Sequence, residues 1–294
     1  MTESTTRTSV TLEQHVEGWR PEAVVTTDAV RREQVDQLID TLDLDASRFG
    51  GSALPILWHW IAFQDWPPSG ALGEDGHPSE GHFYPPIPNR RRMFAGSDVT
   101  SHRPWIIDEP TTRRSSLASV TPKTGASGDM LFVTIENEYS QQDTLVRTEL
   151  QKIVYRSEAS GSTRGIERST AEPTPIEGAT SSADHAVDSR TLFRFSALTA
   201  NAHRIHYDAP YAIQVEGYPG LVVHGPLLAV FMADLTEQAW GVGGLGKFAF
   251  RLRHPIFDGD RFLAEGTFAD SGTSADLVIT SGKGAAATAT AVRA

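Results

Sequence analysis

No cysteine occurs anywhere in the 294 residues. Disulfides, thiolate metal sites and a cysteine nucleophile are thereby excluded, and the composition fits a reducing cytosol. Positive charge is scarce: 26 Lys and Arg stand against 37 Asp and Glu, for a net charge of −11. Non-specific nucleic-acid or anionic-membrane binding needs basic surface, so neither partner is expected. No apolar run approaches the ~20 residues of a membrane span. The opening MTESTTRTSV has neither the basic n-region nor the apolar h-region of a leader. A soluble cytoplasmic protein is the expectation. What the chain does have is 39% hydrophobic residues and a length beyond the usual ~100–150-residue domain, which points to two domains or a duplicated unit.

From Thr27 to Leu44 the apolar positions Val30, Val35, Leu38, Ile39 and Leu42 predict a surface helix, with Thr27 or Asp28 as cap. Leu54–Phe63 is dense in aromatic and aliphatic side chains and reads as a buried helix, and 67–81 as a flexible polar loop. Strands are expected at 114–122, 130–140 and 144–156, giving an antiparallel sheet. Residues 157–188 are rich in Ser, Thr, Gly, Pro and Glu and read as a linker. A second unit follows: strand 190–198, a polar loop, helix 226–240, then strands near 247–254, 260–269 and 275–280. The domain expectation is therefore a half over 1–156, a linker over 157–188 and a second half over 189–294.

Two histidine-bearing segments lie about twenty residues apart in that second half, Asn201-Ala202-His203-Arg204-Ile205-His206 and Val223-His224-Gly225-Pro226. His206 titrates near neutrality when unperturbed and is a candidate general base, beside which Asn201 could orient a water. Pro226 suits a first helical turn, which puts Gly225 at a helix N-terminus, where free N–H groups and the positive dipole end suit a carbonyl oxygen gaining charge. His203 and His206, with Asp208 close by, could instead ligate a metal; no ligand motif accompanies them, and no metal is expected. Arg90-Arg91-Arg92, after Phe83-Tyr84-Pro85-Pro86, is a cationic run in an acidic chain, suited to phosphates.

A polar loop ending in His, then G-x-x-x-H-G ahead of a long apolar helix, resembles the MaoC-like hydratases and dehydratases of the hotdog fold, whose loop reads D-x-N-P-x-H. On that pattern His206 matches the catalytic His and Asn201 stands where the family has Asp. His203 replaces Asn, Arg204 replaces Pro, and Gly225 matches the glycine whose amide binds the thioester oxygen. HFYPPIPNRRRMFAG (82–96) and LPILWHWIAFQ (54–64) are similar to one branch, the double-hotdog mesaconyl-C4-CoA hydratases.

The resemblance implies an α+β double hotdog, two antiparallel sheets each wrapped around a central helix, with a non-catalytic first half. It implies a hydro-lyase acting on an acyl-CoA thioester without cofactor, as a homodimer or higher homo-oligomer. His206, Asn201 and Gly225 are the expected catalytic residues, and His203, Arg204, His224, Arg91 and Arg92 the expected substrate-binding ones. A general 3-hydroxyacyl-thioester dehydratase and a non-catalytic acyl-CoA-binding subunit are the alternatives.

Overall fold

The computed structural model describes residues 11–88, 90–125, 128–157 and 166–294. Among these residues ten antiparallel strands form one continuous sheet in the order β1-β3-β4-β5-β2-β7-β10-β9-β8-β6. The first five belong to the first half: β1 (Val24–Asp28), β2 (Arg90–Ser101), β3 (Thr111–Gly125), β4 (Gly128–Gln141) and β5 (Thr144–Ser157). With them go α1 (Leu12–Val16) and α2 (Arg32–Leu42). The second half holds β6 (Ser181–Ala186), α3 (Ser189–Leu198), α4 (Ala209–Gln214) and α5 (Gly225–Trp240). Its remaining strands are β7 (Leu245–Leu252), β8 (Arg261–Phe268), β9 (Ser274–Ser281) and β10 (Gly284–Arg293).

The halves meet strand to strand, Gly96 to Thr100 of β2 pairing with Arg251 to Lys247 of β7. Gly96 is required at this seam. Its φ is +152°, and a Cβ there would overlap the Phe250 carbonyl oxygen. The expected double hotdog is thus present with its two sheets fused edge to edge.

The wrapping differs between halves. In the second, α5 is apolar all round and lies over β7 to β10, with Leu227, Ala229 and Met232 fully buried. In the first, Leu54–Phe63 is buried as expected, but only Trp58–Ile61 forms a 3-10 turn and no long helix results. Pro55 lies near its start, and its polar groups point inward: Glu149 accepts from Trp60 Nε1 at 3.0 Å and from Ser97 Oγ at 2.9 Å, and meets His59 Nε2 at 3.0 Å.

Three further expectations are corrected. The segment 190–198 is helix α3, not a strand. Asp188 caps it by accepting from the Arg190 and Thr191 amides, and the buried face Leu192, Phe195, Ser196 has helical spacing, while Phe193, which made the run look alternating, is 61% exposed. Thr27 and Asp28 lie in β1 rather than capping α2, and Asp28 Oδ2 accepts from Phe63 N at 2.8 Å. Within the expected linker, 158–165 lie outside the described residues, whereas 181–186 pair with β8 as β6.

Candidate active site

The chain leaves α3 through Ala200, whose φ of +49° turns it sharply, and Asn201 N donates back to the Ser196 carbonyl. A 3-10 turn over Arg204–His206 follows, and then α4, capped by Asp208. Two hydrogen bonds tie this loop to the segment before α5. Val222 N donates to the Ile205 carbonyl at 2.9 Å, and His206 Nδ1 donates to the Val222 carbonyl at 2.8 Å. A carbonyl only accepts, so the second bond assigns the His206 proton to Nδ1 and leaves Nε2 with a lone pair. Burial, with the charge of His203, pushes the His206 pKa down to about 3, keeping the ring neutral.

His224 immediately precedes Gly225, the first residue of α5. Its ring is fully buried, stacks on His206 at a centroid distance of 3.7 Å, and places Nε2 2.9 Å from Ser196 Oγ. Its placement behind His206 suits holding that ring better than touching a substrate, the role expected of it. Helix-terminal N–H groups lack intrahelical acceptors, and Pro226 contributes none, so the Gly225 amide is the first donor the α5 terminus presents. A Cβ on Gly225 would overlap the Leu252 side chain.

Asn201 Oδ1 accepts from His203 N at 3.1 Å, which shapes the loop. Arg204 bonds Asp208 Oδ2 through Nε at 3.0 Å and Nη2 at 2.8 Å, and lies 4.0 Å from the Tyr211 ring centroid. It is thereby engaged on the protein's own groups in this structure, beside the loop where substrate binding was expected of it. Asp208 is held by Arg204 and by the α4 cap, so it does not join His203 and His206 as a ligand set. Arg91, half exposed, pairs with Glu216 at 3.2 Å, whereas Arg92 lies over Tyr84 at 5.7 Å.

The sequence reading missed Asp75 and His77, which the polar loop 67–81 brings to the site. His77 Nδ1 lies 2.9 Å from Asp75 Oδ2, and the His77 ring is 4.1 Å from that of His203, itself 5.4 Å from His206. Arg204 N donates to the Asp75 carbonyl at 2.8 Å, and Gly76, at φ +90°, packs so tightly that a Cβ would overlap the Ala202 carbonyl oxygen. Burial raises the Asp75 carboxyl, but the bond to His77 and its charge outweigh this and bring it down to about 2. One atom each of Asp75, His77 and His203 falls within 4.8 Å of the others, close enough to meet one cation, although Asp75 and His77 are already bonded together. The signal for this loop was the triplet Asp75-Gly76-His77 among glycines and prolines.

A neutral imidazole with a free Nε2, zipped to the N-terminus of the helix that a hotdog sheet wraps, is the layout of the hotdog hydratases and dehydratases. A family model described as hydroxyacyl-thioester dehydratase type 2 matches residues 57–258. The chain belongs to this family, and it is a hydro-lyase. It is 45% identical over 211 residues to a mesaconyl-C(4)-CoA hydratase of Chloroflexus aurantiacus, covering 70% of this chain and 72% of that protein. It is 27% identical over 236 residues to a mitochondrial hydroxyacyl-thioester dehydratase type 2 of Schizosaccharomyces pombe, covering 68% and 73%. A MaoC-like dehydratase from Phytophthora capsici superposes with a TM-score of 0.71 at 13% identity, over 97% of this chain and 98% of that one. A Mycobacterium tuberculosis protein with a double hotdog fold does so at 0.58 and 11% identity, over 94% and 96%.

Proposed function

We propose that this chain adds water reversibly to the double bond of mesaconyl-C4-CoA, giving citramalyl-CoA. The observation that carries the chemistry is the pair of bonds that hold His206 Nε2 free beside the start of α5. The 45% identity to the Chloroflexus hydratase supports the substrate.

In this reading the Gly225 amide binds the thioester oxygen and polarises the conjugated system. The β-carbon becomes electrophilic, and the negative charge that gathers on the oxygen as water adds is met by a preorganised donor. His206 Nε2 takes the proton of the attacking water, which Asn201 orients. The protonated His206 then returns that proton to the α-carbon of the enolate, so the hydroxyl of the water ends on the β-carbon, its other hydrogen on the α-carbon, and the ring is neutral again. His224 stacks behind the base, and His203 lies beside the carbon that carries the substrate's carboxylate. Residues 189–294 act as the catalytic half and 1–156 as the substrate-binding half, with Arg91 facing the coenzyme A phosphates.

To the same reading belong a cytoplasmic location and a homodimer or higher homo-oligomer. The acidic, cysteine-free composition supports the first, and exposed apolar Tyr207, Ile213 and Val215 on and beside α4 support the second. No helix among the described residues is long and apolar enough to cross a membrane. The experiment is a spectrophotometric assay of mesaconyl-C4-CoA hydration by wild type and His206→Ala. A loss of at least ~10²-fold with a normal fold is expected of a positioned acid–base group. The family model favours one second reading, a general 3-hydroxyacyl-thioester dehydratase, which the assay repeated with crotonyl-CoA detects as a preference for that substrate.

A further inference from the structure

One corner next to the catalytic loop holds two cations and a buried hydroxyl that the mechanism above leaves without a role. Arg92 of β2 lies opposite Tyr155 of β5 in the strand register, so the two side chains share a face. Tyr84 completes the corner. Its ring lies 5.5 Å from the Arg90 guanidinium carbon, 5.7 Å from that of Arg92, and 6.2 Å from the Tyr155 ring. Arg90 is anchored on the carbonyls of Pro85, at 3.1 Å, and Ser79, at 2.5 Å. Arg92 has no carboxylate partner among the described residues, in a chain where acidic residues outnumber basic ones by 37 to 26.

Tyr155 shows the same want. Its residue is 1% exposed, and its buried hydroxyl has no acceptor among the described residues. Burial pushes its pKa up to about 12, so the group is an O–H donor and not a phenolate. A buried O–H without an acceptor is costly, and here it lies against the Arg92 guanidinium, which can donate to the hydroxyl but cannot accept from it. Both are satisfied by one thing, an anionic oxygen. The corner also borders the site: Arg90 bonds the Ser79 carbonyl of the loop that carries His77, the His77 ring is 4.1 Å from that of His203, and His203 is 5.4 Å from His206; the charge of Arg92 is among the influences that His203 feels.

We propose that Arg92 and Tyr155 form an anion-binding corner that takes the carboxylate on the β-carbon of the acyl group, and so set the enzyme's preference for a carboxylated enoyl thioester. This rests on the hydratase reading above. Position favours the carboxylate over a coenzyme A phosphate. Water adds at the β-carbon, so a substituent on that carbon must lie beside the base, where His203 and this corner are. The phosphates are separated from the same carbon by the whole pantetheine arm. Arg204, the cation of the loop that carries His206, is engaged with Asp208.

The test compares kcat/KM for mesaconyl-C4-CoA and crotonyl-CoA, which carry the same coenzyme and differ by the carboxylate, in wild type, Arg92→Gln, Arg92→Lys and Tyr155→Phe. A charge-assisted bond lost from a desolvated site should cost mesaconyl-C4-CoA turnover 10- to 100-fold in Arg92→Gln. Crotonyl-CoA turnover should be unchanged, Arg92→Lys should recover part of the loss, and Tyr155→Phe should show a smaller loss of the same selectivity. Equal losses on both thioesters would transfer the corner to the phosphates, and no loss on either would end the proposal. A second measurement does not depend on turnover: free mesaconate, but not crotonate, should raise the melting temperature of wild type and not of Arg92→Gln. If neither thioester is hydrated, the hydratase reading fails while the mesaconate shift still decides the corner; equal shifts in both proteins overturn it.

Discussion

His206 donates its Nδ1 proton to the Val222 carbonyl at 2.8 Å, and this single bond settles which nitrogen of the ring keeps the lone pair that the proposed mechanism uses. Val222 is two residues ahead of His224 and three ahead of Gly225, so the bond also fixes the distance from His206 to the helix terminus. A tautomer set by a backbone carbonyl does not depend on any side chain that could rotate away.

The first consequence is a pH profile. The free enzyme's base limits kcat/KM when it becomes protonated. Burial has pushed His206 down to about 3 from the ordinary histidine value of 6.5. A depressed pKa means that the neutral, active ring persists as pH falls. We expect kcat/KM for the enoyl thioester to stay level through pH 6.5 and down to about pH 5, in the range where circular dichroism shows the fold intact. An acid limb centred near 6.5 would show that the base in the free enzyme is not this buried ring.

The second concerns the loop that carries Asp75 and His77. Gly76 adopts φ +90°, and its missing side chain lets the loop press on the Ala202 carbonyl. Gly76→Ala should therefore separate the 73–77 loop from the catalytic loop while leaving every charged group in the sequence. Backbone strain of this kind costs on the order of 1–3 kcal/mol. The expected result is a modest fall in melting temperature with a disproportionate fall in kcat/KM, measured side by side with Gly50→Ala, a glycine whose surroundings are open.

How much of this was legible can be judged from particular residues. His206 and Gly225 could be picked out because a loop histidine and a Gly-Pro helix start are local patterns, and α5 because its apolar run is long. α3 was misread because Leu192, Phe193 and Phe195 imitate strand alternation over a few positions, and only the Asp188 cap and the packing decide otherwise. β10 went unseen because its alanines favour helix; Ala286, Ala287, Ala289 and Ala291 are buried beneath α5, where little room is left for a larger side chain. Asp75 and His77 reach the catalytic loop from about 125 positions upstream, a juxtaposition no local pattern encodes.

The third prediction follows from the donor atoms of Asp75, His77 and His203, which lie within 4.8 Å of one another. Since Asp75 is already bonded to His77, and the proposed chemistry uses an imidazole, the Asn201 side chain and a backbone amide, chelation should leave the rate unchanged. Added zinc should inhibit by drawing the three groups together, because nitrogen and carboxylate donors at this spacing suit it. His77→Ala should relieve that inhibition. A rate lost to EDTA and restored by a divalent ion would replace this account with a metal-dependent one.

The last prediction concerns Glu149, on the face of the first half that packs against the buried segment Leu54–Phe63. Its carboxylate is wholly buried, accepts from Trp60 Nε1 at 3.0 Å, Ser97 Oγ at 2.9 Å, Gln151 Nε2 at 3.2 Å and the Tyr139 hydroxyl at 3.3 Å, and meets His59 Nε2 at 3.0 Å. Burial alone would raise its pKa; the charge and hydrogen bond of His59, with the Trp60 and Ser97 donors, outweigh that and hold it below the ordinary carboxylate value. These bonds stand where the second half has its long helix, and they hold an irregular segment that has few backbone bonds of its own. Glu149→Ala would strand several buried donors at once, and with about 1–3 kcal/mol for each unsatisfied donor the loss should reach several kcal/mol. Glu149→Gln keeps one acceptor oxygen and should cost less, about 1–3 kcal/mol. Urea unfolding of the two variants checks both the size and the order of the losses. If Glu149→Ala were as stable as wild type, the network would not be what holds the first half's core in place.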